Sequence, residues 1–190
     1  MTRAVATATT VLLVLLLGVA PAQAQEPLDT STSALVRVAH LSPDTPGVDV
    51  YVDGQPVVTN MGFQVVSDYL VLEAGPHHLE VRPSGADPSS PAVLAQDVTL
   101  EAGTAYTVAG VGPRATLELR VFEDDISAPA PGQANVRVLH GAVDAPTVDL
   151  VTTAGQALVA GAASAAATPY VPVPAGTYEL VLRDSTTASV

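Results

Sequence analysis

Ala34-Leu-Val-Arg-Val-Ala-His40 and Ala134-Asn-Val-Arg-Val-Leu-His140 are two versions of one phrase, set one hundred positions apart. The match runs on through Asp44, Pro46, Val48 and Asp49 onto Asp144, Pro146, Val148 and Asp149. Nine of the seventeen positions from 34 to 50 are identical. Within the phrase Val36, Val38 and His40 fall on one side of an extended chain, and Arg37 and Ala39 on the other. A period of two over a short run is the mark of a half-buried strand. The same alternation returns at Val48-Val50-Val52, Leu79-Val81 and Leu117-Leu119-Val121. Asp53-Gly54, Ala74-Gly75-Pro76, Pro83-Ser84-Gly85, Ala102-Gly103 and Gly112-Pro113 punctuate these runs as turns. Ala160 to Ala167 is rich in helix formers but short, interrupted by Gly161 and without an apolar stripe. The chain is therefore expected to be all-β.

Further on, Ala74-Gly75 and Arg82 reappear as Ala175-Gly176 and Arg183, now 101 positions apart. Two copies of one module in tandem explain this. The first, residues 34–126, supports about seven short strands, enough for a two-sheet antiparallel sandwich. The Pro-rich stretch 127–133 is the joint between copies. The second, residues 134–190, begins equally well but has no counterpart of Val93 to Phe122. An incomplete second copy is expected, by truncation or by completion from elsewhere, because half a sandwich leaves an open edge.

Residues 1–24 read as a signal peptide: Arg3, the apolar run Val11 to Leu17, and Ala22-Gln23-Ala24 as cleavage site. The apolar run is too short to span a bilayer. Residues 25–33 follow as a polar linker. The mature protein is expected to be secreted or held in the cell envelope. The chain carries 7 Lys+Arg against 19 Asp+Glu and no cysteine. Without Arg3 the net charge falls from −12 to −13. So acidic a chain, with no basic cluster, cannot neutralise phosphates, which excludes nucleic acid as a partner. The missing cysteines exclude disulfides and thiolate chemistry.

The motif V-R-V-x-H-x-x-x-D-x-P-x-V-D-V over Val36 to Val50, followed by Asp53-Gly54, and the later run Tyr69 to Gly75 with Val81-Arg82, resemble the bacterial secreted domain of unknown function 4397. The resemblance implies an immunoglobulin-like or transthyretin-like β-sandwich in an exported protein. It carries no catalytic residues over.

Candidate chemistry is sparse. His40 and His140 precede Asp44 and Asp144 by four residues. The pattern suits a carboxylate-assisted base or metal ligand, but better a histidine bonded to the loop that follows it. His77 and His78 are adjacent and point to opposite faces of a strand. Arg37 with Asp49, and Arg137 with Asp149, are expected to form cross-strand ion pairs. Glu123, Asp124 and Asp125 are weak calcium candidates at the joint. Tyr51, Tyr69, Tyr106 and Phe63 are the only candidates for an aromatic binding platform. No nucleophile elbow, H-E-x-x-H or phosphate loop is present. The expected function is non-enzymatic, structural or adhesive, with an extracellular or cell-surface protein as partner and no cofactor. The alternatives are a small-ligand or carbohydrate-binding protein and, behind it, a secreted hydrolase.

Overall fold

A computed structural model describes residues 31–187. The signal-peptide reading of 1–24 lies outside the described residues. Fifteen strands and one 3-10 turn make up the described chain. In order they are β1 (Ser33–Leu41), β2 (Val48–Val52), β3 (Gln55–Met61), β4 (Leu70–Glu73), β5 (Gly75–Pro83), β6 (Leu94–Leu100) and β7 (Ala105–Val111). After the turn Arg114–Thr116 come β8 (Glu118–Asp124), β9 (Gln133–Val136), β10 (Leu139–His140), β11 (Val148–Thr152), β12 (Ala157–Ala162), β13 (Ala166–Ala167), β14 (Val171–Pro174) and β15 (Leu180–Asp184). The protein is all-β, and the N-terminal unit has eight strands rather than about seven. Among the described residues no helix is long and apolar enough to cross a membrane.

The N-terminal unit consists of two four-stranded sheets, β4-β1-β7-β8 and β3-β2-β5-β6. All pairs are antiparallel except β1 with β7, which run parallel. One apolar cluster joins the sheets: Val36 and Val38 of β1, Val108 of β7 and Leu119 of β8 meet Val50 of β2, Met61 of β3 and Leu79 and Val81 of β5. Burying each such side chain stabilises by about 1.5–3 kcal/mol. Asp53 and Gly54 both adopt positive φ (51° and 78°), the mirror-image turn that matches strand twist in a two-residue hairpin.

Three residue pairings from Gln133 onward correspond to pairings about a hundred positions earlier. Val36 faces Leu70, and Val136 faces Val171. Asp49 faces Arg82, and Asp149 faces Arg183. Val48 faces Met61, and Val148 faces Ala162. The sheets there are smaller (β14-β9, β10-β13 and β12-β11-β15), and β15 has one neighbour where β5 has two. Leu79 and Val81 are 3% and 7% exposed, whereas Leu180 and Leu182, one hundred and one positions on, are 44% and 55% exposed.

β1 departs from simple alternation. Ala39, on the face expected to be polar, is buried with Ala109 and Val111 beneath Val143 and Ala165 of the C-terminal unit. The outer face of the first sheet is a second apolar surface because another part of the chain covers it.

Candidate functional site

The two units meet at a polar cluster and an apolar cleft. Arg37 of β1, Thr107 of β7 and Asp124 of β8 share the outer face of one sheet. The Asp124 side chain is fully buried. Its Oδ2 accepts from Tyr69 Oη (2.5 Å) and Thr107 Oγ1 (2.6 Å) and lies 3.3 Å from Arg37 Nε. Its Oδ1 accepts from Arg137 Nη2, which comes from the C-terminal unit. Arg137 Nη1 also donates to the Glu123 carbonyl (2.7 Å). A carboxylate withdrawn from water must be paired and hydrogen-bonded, and this one has two guanidiniums and two hydroxyls. Each guanidinium lies over a tyrosine: Arg37 over Tyr69 at 4.9 Å, Arg137 over Tyr170 at 4.8 Å. Burial, and next the bond to Asp124, push the Tyr69 hydroxyl well above its usual pKa.

This geometry corrects the expected ion pairs. Arg37 does not meet Asp49, because the chain crosses from one sheet to the other between β1 and β2. Asp49 accepts instead from the Asn60 amide (2.7 Å), Ser84 Oγ (2.9 Å) and the Gly85 amide (3.0 Å). The Asn60 bond, first among these, holds its carboxyl below the usual range. Nor does Arg137 meet Asp149, which pairs with Arg183 at 3.2 Å and accepts from Gly161 and Ser185. The three acidic residues at the joint do not gather either. Asp124 is turned into the arginine cluster and Asp125 accepts from the Ser127 amide. Among the described residues no group of three or more His, Asp or Glu side chains is arranged to hold a metal ion.

Beside the clamp Gly141 rests on Leu41. A β-carbon on Gly141 would stand 2.6 Å from Leu41 Cδ1 and 2.9 Å from its Cβ. The contact opens into a cleft of about 530 Å³ lined by Leu41, Pro43, Phe63, Leu139 and Val143, with Gln64 and Asp144 at its polar edge.

His40 is buried, and its Nδ1 receives the Ser42 amide at 3.4 Å while Nε2 faces the Pro46 carbonyl at 3.2 Å. Nε2 therefore carries the proton. His140 Nε2 meets the Pro146 carbonyl in the same way, at 3.1 Å. Ser42 is fully buried and bonded to Thr45. Asp44 accepts from the Arg114 amide (2.7 Å) rather than orienting His40. His77 and His78 do not converge. His77 lies between Asp53 (2.7 Å) and the Glu73 carbonyl (2.8 Å), so both ring nitrogens face acceptors and the protonated ring is favoured. His78 pairs with Asp97 at 2.6 Å, which raises its pKa likewise. The four aromatics form no platform: Tyr51 lies under Arg82, Tyr69 under Arg37, and buried Tyr106 accepts from the Glu101 amide. Phe63 alone is exposed, with its ring edge-on to His40. Sequence reading missed Thr107 and Tyr170. Tyr170 had a signal, because Tyr69 and Tyr170 repeat with Arg37 and Arg137 at nearly one spacing.

No curated protein matches the sequence. A family model described as "Domain of unknown function (DUF4397)" matches residues 34–151, from β1 across the joint into β11. With more than half its length matched, and with the opening motif falling on β1 and β2, the chain belongs to the DUF4397 family.

Proposed function

We propose that this chain is an exported, non-enzymatic β protein of the cell envelope or exterior that acts by presenting surface, in a structural or adhesive role. Its N-terminal unit reads as an immunoglobulin-like sandwich, and residues 134–190 as an incomplete second copy. Repeated bonding supports the second point. The Val38 amide donates to Ser67 Oγ where the Val138 amide donates to Thr168 Oγ1, and the two histidines reach the carbonyls of Pro46 and Pro146. The observation that carries the functional reading is the Asp124 clamp. A buried carboxylate shared by Arg37 and Arg137 joins two units into one body, as a spacer or presenting module requires, and His40 and His140 are bonded to carbonyls of the loops that follow them. The acidic surface favours cationic partners.

The lack of cysteine allows a clean test. Spin labels at Gln96→Cys and Ala154→Cys, both exposed, report the distance between units. A narrow distribution is expected; a broad one removes the rigid-module reading. Recovery of the protein outside the cytoplasm with Gln25 at its N-terminus tests export. A second reading, a small-ligand binding protein, draws on the cleft.

A further inference from the structure

We propose that the cleft between the units binds a small amphipathic cation: an aliphatic chain ending in an ammonium group. Rigid clefts of this size at unit boundaries, apolar with few polar groups, are the usual form of small-molecule sites. Its walls come from both units, Leu41, Pro43 and Phe63 on one side and Leu139 and Val143 on the other. The wall is continuous with the interface where Val143 covers Ala39, Ala109 and Val111. One of only two phenylalanines in the chain stands here 44% exposed, and Val65 from the same loop is also exposed. An exposed aromatic ring in an apolar cleft on a strongly acidic protein marks a contact site.

Charge selects the class of ligand. Asp144 is the one charged side chain in the lining, and no hydrogen bond or ion pair occupies it among the described residues. On a chain of net charge −12, this edge repels carboxylates and attracts a cation. An alkyl chain fits the Leu41–Phe63–Val143 wall while its ammonium group meets Asp144. A zwitterion or fatty acid would bring its own carboxylate to the same edge.

The site rests on the two units forming one body, since neither wall encloses it alone. The probes are n-octylammonium, n-octanol and octanoate, titrated into the isotope-labelled protein at low salt and followed by amide chemical shifts. Saturable shifts confined to the cleft are expected for octylammonium, about two- to fivefold weaker binding for octanol, and binding weaker again by a similar factor for octanoate. Asp144→Asn should reduce octylammonium to the octanol level. Phe63→Ala, at an exposed position that leaves the core intact, should weaken both by about fivefold or more. Equal binding of octanoate overturns the proposal, as do shifts scattered over the surface. Cleft shifts that depend on protein concentration without ligand assign the groove to a second copy and overturn it too. A narrow spin-label distribution with no saturable binding refutes the ligand alone; a broad one refutes the rigid body beneath it.

Discussion

Asp124 shows how one residue decides a junction. Its carboxylate closes a network that spans both units, and removing the charge leaves Arg137, itself nearly buried, facing uncompensated hydroxyls and carbonyls. Asp124→Asn should destabilise by about 2–4 kcal/mol, read from chemical denaturation. Arg37→Gln, at a side chain that is itself one-third exposed, should cost less. An equal loss in both would show that the crossing bond contributes nothing of its own. Sequence periodicity exposed Arg37 but not its partner. Alternation says which residues share a face, not which strand lies alongside, and Asp124 is 87 positions away. His77 supports a pH prediction. The Glu73 carbonyl first, then Asp53, raise its folded pKa, so its stabilisation is complete below the unfolded value near 6.5 and fades as pH rises through the folded one. Asp53, lowered first by the His78 amide, contributes above its unfolded value near 3.9 and fades as pH falls through its own folded value. The pair therefore stabilises most between about pH 4 and 6.5. The melting-temperature gap between the parent protein and His77→Asn should shrink from pH 5.5 to pH 9; a gap constant with pH would refute the pairing.

At the scale of elements, β1 and β5 were legible and the faces they turn outward were not. Val36, Val38 and His40 lie inward as their spacing predicts, and Asp53-Gly54 makes the hairpin its composition predicts. Ala39 escaped because its burial depends on Val143 and Ala165, more than a hundred residues on. A short-range pattern holds no trace of so distant a cover. The Gly141 contact was hidden for the same reason. Gly141 and Leu41 occupy equivalent positions in the repeated phrase yet act as recess and knob. Gly141→Ala should destabilise by about 1–3 kcal/mol through overpacking, and Leu41→Ala should relieve most of that in the double variant. Additive losses would show that the two residues do not meet. β15 and β5 give a paired test of burial. Leu79→Ala should cost about 2–5 kcal/mol, whereas Leu182→Ala, at 55% exposure, should change stability by no more than about 0.5 kcal/mol. Comparable losses would place Leu182 in a core.

Across the whole molecule, apolar burial is divided unequally. The principal cluster draws on β1 to β8 and contains no residue beyond Leu119. Among the described residues from Gln133 onward the buried apolar side chains are Val151, Val159, Ala162 and Val173, alongside exposed Leu180 and Leu182. Few buried side chains cannot offset the entropy of ordering some fifty residues, roughly 1–2 kcal/mol each for the backbone alone. The C-terminal unit therefore depends on the N-terminal one, through Val143 and Ala165 on the outer sheet face and through Arg137 on Asp124. Residues 31–127 alone should retain β-type circular dichroism and one cooperative thermal transition. Residues 128–190 alone should show neither. In the full chain Arg137→Gln should loosen the C-terminal unit selectively, so that amides of β11 and β15 exchange about tenfold faster or more while those of β2 and β5 keep their protection. Uniform acceleration across both units would mean that they unfold as a single cooperative block. Independent stability of residues 128–190 would mean that its few buried side chains suffice, and the dependence argued from the clamp would fall.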